Sequence, residues 1–172
     1  MKIREFRGLF ENGLRYAYDC EQQLVKKGIP SMIDASSSNE LRTALEQHLE
    51  ETRTHVTRLE QVFRIIGADA KTEDNDIIED MIDATGNMVD ATEDGSPLRD
   101  AALVVGGNLV EHYEMAAYGS LVTFARQLGL SEAVGLLQQT LDEEKAADAK
   151  LTQIGERSVN PKAASMQERR AA

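Results

Sequence analysis

The chain of 172 residues is long enough for one domain with a sizeable hydrophobic core. Its composition, 41% hydrophobic and 28% charged, is typical of a globular protein and excludes wholesale disorder. The formal net charge of −11 argues against a nucleic-acid partner, because phosphate binding needs a basic face.

Cysteine content and apolar runs limit the class of protein further. Cys20 is the single cysteine, so we expect neither a disulfide framework nor a thiolate metal cluster. The first residues, MKIREF, contain no apolar run typical of a signal peptide. No stretch approaches the run of about 18 apolar residues that a membrane span needs. We therefore expect a cytoplasmic protein with no membrane partner.

Residues 4–35 are predicted to form a long helix, because small and apolar residues recur at steps of three and four. These residues are Phe6, Phe10, Gly13, Ala17, Cys20 and Leu24. Pro30 should bend the helix, since proline lacks a backbone donor and crowds the preceding turn. The sequence SSSN at 36–39 then supplies a break and an N-cap for the next helix.

The second predicted helix covers residues 38–66 and ends at Gly67. The stripe of residues along one face is apolar at both ends and polar in the middle. Its members are Leu41, Leu45, His48, Glu51 or Thr52, His55, Leu59, Val62 and Ile66. A local failure of the apolar pattern of this kind is typical of a functional site.

Residues 68–96 differ in character from both neighbouring helices. A polar loop comes first, and apolar residues between Ile77 and Val89 predict a shorter helix interrupted by Gly86. Ser96 followed by Pro97 is a typical helix start, with serine as N-cap and proline in the first turn.

The third predicted helix begins at Ser96 and ends at Gly129, and Glu114 alone interrupts its apolar stripe. Ser131 is predicted to cap the fourth helix. The inward stripe of the fourth helix is Val134, Leu137, Leu141, Glu144, Asp148 and Leu151. From Ser158 onward the sequence predicts a frayed polar tail, so we expect a domain at 1–158 and a flexible tail at 159–172.

These elements predict an all-α fold, because no stretch alternates with the period of two that a strand requires. Four long helices and an excursion of about 30 residues between the second and third predict a four-helix bundle. A connection of this length can cross the bundle lengthwise and includes the short extra helix. One long crossover is the topology of a ferritin-like bundle.

A weak internal repeat relates the two halves of the chain. When the sequence is compared with itself at a shift of 93 positions, residues that are out of place on their helices coincide. The matched pairs are Gly13 with Gly106, Glu21 with Glu114, Ser38 with Ser131, Glu50 and Glu51 with Glu143 and Glu144, and His55 with Asp148. Since an α-helix rises about 1.5 Å per residue, the inward acids of each hairpin should lie at one height.

Carboxylates that meet in the middle of a bundle indicate a site for two metal ions. Buried acids repel one another unless protons or cations compensate them, and an oxygen-rich ligand set favours Fe, Mn or Mg. We expect Glu51 and Glu144 to bridge the ions. The other predicted ligands are Glu21 and Glu114 as terminal ligands, with His55 and Asp148 one turn beyond the bridges.

Several neighbouring residues have two interpretations each. Glu111 is either a further, mobile ligand or a solvated acid on the flank of the site. His48 is expected to support the ligands or the core rather than bind metal, because its counterpart in the repeat is Leu141. Glu50 and Glu143 lie off the stripe and predict salt bridges. Any of three tyrosines could hydrogen-bond a ligand or simply pack: Tyr18, Tyr113 and Tyr118.

Five segments together resemble the bacterial YciE/YciF family of stress-associated, ferritin-like proteins. They are 18–24 (YDCEQQL), 48–52 (HLEET), 58–63 (RLEQVF), 110–114 (VEHYE) and 143–148 (EEKAAD). The resemblance covers about residues 5–160. It implies a ferritin-like bundle, a homodimer and a dinuclear metal site, but it supplies no reaction.

Comparison with the wider group of rubrerythrin-like di-iron proteins refines this expectation. Glu111 and Glu114 match the Glu-x-x-Glu of their third helix. His55 follows Glu51 by four residues rather than three, and Asp148 stands where such a site has histidine. With one cysteine in the chain, electrons for a redox reaction would come from another protein.

The sequence therefore leaves two functions open, and whether the chain is an enzyme is not decided at this stage. The first is a stress-response protein with two metal ions, Fe in preference to Mn, that reacts with peroxide or oxygen. The second is a non-enzymatic protein of the stress response, which binds metal or acts as a structural dimer.

Overall fold

The computed structural model describes residues 3–171, with side chains described for residues 3–166. Within this range the regular structure is helical, which confirms the predicted all-α fold. The helices are α1 (Phe6–Gln23), α2 (Ile29–Ala35), α3 (Asn39–Ile65), α4 (Asp76–Asp90), α5 (Pro97–Gln127), α6 (Ser131–Ile154) and α7 (Asn160–Ala171). Two π-helical turns, Leu24–Gly28 and Gly155–Val159, join α1 to α2 and α6 to α7.

Each π-helical turn ends two residues before a proline. Pro30 follows the first turn and Pro161 follows the second. A proline within a helix donates no hydrogen bond and its ring collides with the carbonyl four residues earlier. A wider turn relieves that collision and takes up one extra residue without breaking the helix. Before Pro30, where the sequence predicts a bend, the structure has a π turn.

The four long helices form two antiparallel hairpins that pack against each other. Tyr18 of α1 stacks edge-on against Phe63 of α3, with ring centroids 5.8 Å apart. Phe6 of α1 packs edge-on against Phe124 near the end of α5, at 5.0 Å. Since α1 is antiparallel to both α3 and α5, these last two helices are parallel. The chain must cross the length of the bundle between them, which confirms the predicted crossover.

The extra helix α4 lies in this crossover and packs chiefly on α5. Asn75, the N-cap of α4, donates from Nδ2 to the carbonyl oxygen of Tyr16 at 3.1 Å and to the Tyr113 hydroxyl at 2.8 Å. Farther along, the buried Thr85 lies directly against Gly106 of α5, which has no Cβ atom to collide with it. These contacts fix the crossover to the side of the bundle.

The predicted helix ends agree with the structure at most positions. Ser38 and Ser96 are N-caps whose hydroxyls accept from the backbone N–H groups of Leu41 and Arg99. Gly67 and Gly129 follow α3 and α5 with φ values of 67° and 70°, a left-handed conformation that favours glycine. The predicted cap Ser131 is wrong by one residue. Leu130 is the N-cap of α6, and Ser131 is its first helical residue.

Apolar side chains form two separate cores, one toward each end of the bundle. The first is built around Phe10, Phe63 and Leu137, and the second around Leu24, Leu41 and Leu103. Between them lies a layer of buried polar side chains. None of the described helices is long and apolar enough to cross a membrane.

The C-terminal segment differs from the polar tail that the sequence predicts. Helical structure continues through Asn160–Ala171, and Ala172 lies outside the described residues. Val159 and Ala163 are buried. The α7 segment and the second π turn both pack on α5. This packing favours a helix even though most residues of the segment are polar.

We expect Gly106→Ala to destabilise the protein by about 1–3 kcal/mol. A Cβ atom at this position would lie 2.5 Å from Thr85 Oγ1 and would overlap the rest of that side chain. Urea denaturation of the full chain measures the effect. The control is Gly135→Ala on the exposed side of α6, where no atom lies within 4 Å and alanine should be neutral or mildly stabilising. Equal stabilities for the two variants would contradict the close packing of α4 on α5.

Candidate metal centre

A layer of polar side chains separates the two apolar cores in the middle of the bundle. All four long helices contribute to it, and every member is at most 8% exposed. The members are Glu21, His48, Thr52, His55, Glu111, Glu114, Thr140 and Glu144. Burial of so many ionisable groups is costly unless each finds a partner.

One group of possible ligands, the His55 group, consists of Glu21, His55 and Glu144. None of the three has any exposed surface. His55 Nδ1 lies 2.9 Å from Glu144 Oε1 and 3.5 Å from Glu21 Oε1. One ligand atom from each residue can be found such that all three lie within 4.8 Å of one another, so one cation could contact all three.

The second group, the His48 group, consists of His48, Glu111, Glu114 and Glu144. His48 Nε2 lies 3.1 Å from Glu111 Oε1 and 4.0 Å from Glu144 Oε2. Glu111 and Glu114 are each 2% exposed. Glu144 therefore belongs to both groups, one oxygen facing each histidine.

Seven buried atoms of this layer have no hydrogen-bond partner among the described residues. They are Glu21 Oε2, His48 Nδ1, His55 Nδ1, Glu111 Oε2, Glu114 Oε2, and both Oε1 and Oε2 of Glu144. The short contact of His55 Nδ1 with Glu144 does not have hydrogen-bond geometry, although the two atoms are close. Unpaired buried oxygen and nitrogen atoms that converge on one layer fit a cation.

The charges within the layer change the protonation of its histidines. Burial lowers the pKa of His55, but its close contacts with Glu144 and Glu21 outweigh burial and raise that pKa to about 11. Burial also opposes protonation of His48, yet Glu111 and Glu51 raise its pKa well above the ordinary value. Without a metal ion, these histidines neutralise part of the acid charge as cations.

The pKa values of three buried carboxylates in the layer are also raised. Burial raises the pKa values of Glu21 and Glu144, against the opposing effect of His55. Burial, and then the charges of Glu144 and Glu21, raise the pKa of Glu114 well above its usual range. The raised pKa values favour the protonated forms of these acids in the metal-free chain, and a bound cation would displace those protons.

Two further buried groups contact the ligand candidates directly. The Tyr118 hydroxyl donates to Glu21 Oε1. The Cys20 thiol lies 3.7 Å from Glu114 Oε1, within hydrogen-bond range for sulfur. The other two tyrosines do not contact the cluster in this way, because Tyr18 donates to Glu60 and the Tyr113 hydroxyl accepts from Asn75.

A charged pair behind His55 fixes the orientation of its ring. His55 Nε2 lies 2.8 Å from Glu143 Oε2, and Arg58 donates two hydrogen bonds to the same carboxylate. The contact with Arg58 lowers the pKa of Glu143, so this carboxylate is ionised and accepts from Nε2. The ring therefore presents Nδ1 to the cluster, as in many metal sites where a carboxylate holds a histidine ligand. The predicted salt bridges of Glu143 and Glu50 are both present, the latter with Arg53.

The structure brings five of the predicted ligand residues together: Glu21, His55, Glu111, Glu114 and Glu144. Glu51 and Asp148 lie outside both groups. The Glu51 side chain is 51% exposed and approaches only the outer edge of the His48 ring, at 3.6 Å from Nδ1. Asp148 accepts a hydrogen bond from Asn108 at 2.6 Å and lies 3.2 Å from His112 Nε2. His48, expected beside the site, is instead a member of it.

An extra residue near the first π turn explains why Glu51 does not occupy the position equivalent to Glu144, as the repeat predicts. Thr52 lies 31 positions after Glu21, whereas Glu144 lies 30 positions after Glu114. The extra residue lies in the first hairpin before the N-cap Ser38, in the helix that contains the π turn. The repeat therefore continues with a shift of 92, which pairs Thr52 with Glu144 and Glu51 with Glu143. Thr52 faces the cluster, 1% exposed, and bonds to the His48 carbonyl.

The shift of 92 also explains why Asp148 lies outside both groups of ligands. A shift of 92 pairs His55 with Ala147, so the fourth helix has no imidazole and no carboxylate at that inward position. The sequence signal that could have found His48 was the stripe itself, since His48 lies one turn before Thr52 and two turns before His55 on the same face.

The fold and the cluster together define a helical-bundle protein with a buried carboxylate and histidine layer. Residues 5–164 match the family described as Domain of unknown function (DUF892). Protein YciF of Escherichia coli (strain K12) is 37% identical over 164 residues, which cover 95% of this chain and 98% of YciF. The chain belongs to the DUF892 family, and its resemblance to the YciE/YciF proteins is confirmed.

Solved structures agree with this relationship. The crystal structure of the Escherichia coli stress protein YciF matches with a TM-score of 0.86 at 36% identity, and covers 92% of this chain and 99% of that chain. YcfI of Rhodopseudomonas palustris, a protein proposed to be structural, matches with a TM-score of 0.85 at 36% identity, over 88% of this chain and 95% of that one. A Xanthomonas campestris protein, 20% identical with a TM-score of 0.74, shares the fold.

We expect Glu114→Gln to remove a pH-dependent loss of stability from the metal-free protein. With its raised pKa, folded Glu114 keeps a proton that the unfolded chain releases. Its contribution to stability is full below the unfolded pKa of about 4.3 and is lost as pH rises through the folded pKa, at up to about 1.4 kcal/mol per pH unit. Glutamine cannot ionise, so the free energy of unfolding should fall less steeply from about pH 5 to pH 7.

Urea denaturation in the presence of a chelator, repeated along this pH range, measures the difference. Glu50→Gln is the control, because its side chain is 69% exposed and lies outside the cluster. If Glu114→Gln and the wild type show the same pH slope, the burial of an uncompensated acid at this position is contradicted.

Proposed function

We propose that this chain is a ferritin-like protein of a bacterial stress response that binds two metal ions, Fe in preference to Mn. The observation that supports this most directly is the sharing of Glu144. Both of its oxygens are buried without hydrogen-bond partners, and each faces a different group of ligands. A carboxylate placed in this way suits a bridge between two cations.

The ligand set fits these metals in number and chemistry. One ion would be held by Glu21, His55 and Glu144, and the other by His48, Glu111, Glu114 and Glu144. Six residues provide carboxylate oxygen and imidazole nitrogen without thiolate, a set that suits Fe and Mn better than copper. The single-crossover bundle with carboxylate ligands from all four helices is the arrangement of ferritin-like di-iron proteins. Such proteins usually have a glutamate on the second of the four long helices. In this chain that helix is α3, and Thr52 takes the place of the glutamate.

The surroundings of the site favour small reactants. An iron pair, when bound, would supply two electrons to oxygen or peroxide, one from each ion. Around it, Tyr118 holds Glu21 by a hydrogen bond, and the Glu143 carboxylate keeps the His55 ring in place. The cluster is almost fully buried, which favours reactants of the size of oxygen or peroxide. Electrons for a repeated reaction would come from a separate protein.

A second candidate function is metal binding without turnover, in a dimer with a structural or interaction role. The exposed apolar side chains of α5 support this candidate. Leu98, Val105 and Leu109 are 44–50% exposed on one helix. YcfI of Rhodopseudomonas palustris, the relative proposed to be structural, is consistent with it.

Metal content tests the ligand assignment. The full chain, reconstituted with Fe(II) or Mn(II) and then freed of excess metal, should contain about two ions. Glu144→Ala should reduce this to fewer than about one ion, because both groups lose a ligand. Asp148→Ala is the matched control on the same helix and should retain about two. Fewer than about 0.2 ions in the wild type, by elemental analysis, would end the metal-binding proposal.

Peroxide consumption separates the two candidate functions. The iron-loaded wild type, supplied with a chemical reductant, should consume peroxide steadily, and Glu144→Ala should lose at least about 90% of that rate. The loss is expected because the reaction requires both ions, and Glu144→Ala would hold fewer than about one. Loss of peroxide is followed by its absorbance, with Asp148→Ala as control. Two bound ions without peroxide consumption would favour the non-enzymatic candidate.

A further inference from the structure

A groove between α3 and α6 leads from the surface to the His48 group. Its volume is about 220 Å³, which is room for several water molecules. Ala44, Ala146 and Ala147 line it and keep it open because their side chains are small. His48 lines the same groove, and its Nδ1 is buried and has no hydrogen-bond partner.

The two halves of the cluster differ in their access to this groove. Glu21, His55 and Glu144 have no exposed surface, whereas His48 keeps 8% exposure. The pair of Arg58 and Glu143 lies behind the His55 ring and covers that side. An ion in the groove therefore meets the His48 group first, and the shared Glu144 connects that group to the His55 group.

Glu51 connects the groove to solvent. It lines the groove together with His48, yet its side chain is 51% exposed. Its carboxylate is 3.6 Å from the outer edge of the His48 ring. Lys150 also lines the groove, from the α6 side. Glu51 is the groove residue that attracts a cation, because an exposed carboxylate can replace water ligands of an incoming ion.

We propose that this groove is the route by which divalent metal ions reach the centre, and that Glu51 is the carboxylate that first binds them. The inference rests on the proposed metal-binding function and adds a path to it. It also gives Glu51 a role different from the bridging role that the sequence pattern predicts. As an uptake residue, Glu51 should control the rate of metal binding and leave the number of bound ions unchanged.

The rate of metal uptake tests this role. Metal-free full chain is mixed with Co(II) in a stopped-flow instrument, and the visible absorbance of the bound ion is followed. Glu51→Gln should slow uptake about three- to tenfold at low ionic strength, and added salt should reduce the difference. Glu50→Gln is the matched control, since the neighbouring Glu50 is paired with Arg53 and does not line the groove. Its uptake rate should equal that of the wild type.

A second variant tests the groove itself. Ala147→Leu places a larger side chain in the groove and should slow uptake on the order of tenfold, with the same final number of ions. Ala149→Leu is the control, because Ala149 is exposed on the same helix and does not line the groove. Circular dichroism confirms that each variant is folded before the rates are compared.

The outcomes separate the route from the metal site. Wild-type uptake rates in both Glu51→Gln and Ala147→Leu would overturn the proposed route while leaving the metal site in place. Fewer bound ions in Glu51→Gln, at an unchanged rate, would identify Glu51 as a ligand and would also overturn it. A wild type that binds no Co(II), Fe(II) or Mn(II) would refute the proposed function, and the route with it.

Discussion

The structure depends on one constraint, the desolvation of acids and histidines in the middle of the bundle. Four carboxylates and two imidazoles lie between two apolar cores that supply the folding energy. In the metal-free chain these groups offset each other with shared protons and histidine cations. A fold selected for stability alone would fill this layer with apolar side chains, so the layer indicates a function.

The rest of the bundle holds this layer in one arrangement. Arg58 and Glu143 fix the His55 ring from behind, while Tyr118 holds one oxygen of Glu21. The packing of α4 against α5, through Thr85 and Gly106, fixes the crossover and so keeps the two hairpins in register. Each ligand candidate therefore lies on a long helix whose position several contacts determine, which favours a preorganised site.

The two halves of the centre are not equivalent. The His55 group has no exposed surface, and the His48 group lies at the inner end of a small groove. Glu144 is the link between them. This asymmetry suits a centre in which ions and small molecules reach one side, while the other side is held by groups that solvent does not contact. Membership of the DUF892 family and the likeness to the stress protein YciF are consistent with such a centre but do not specify its reaction.

The sequence by itself determined the four long helices, α4, the crossover and five residues of the cluster, because apolar periodicity and misplaced acids are local signals. The tertiary structure decided the rest. One extra residue before Ser38, in the helix with the first π turn, shifts the register of the internal repeat by one. Thr52 therefore takes the inward position equivalent to Glu144, and Glu51 lines the groove. The stripe of α3 has room for either Glu51 or Thr52 at this turn, and only the packing of the helices decides which of the two faces the cluster. The packing of the chain also decided that His48 joins the cluster and that Asp148 binds Asn108 instead.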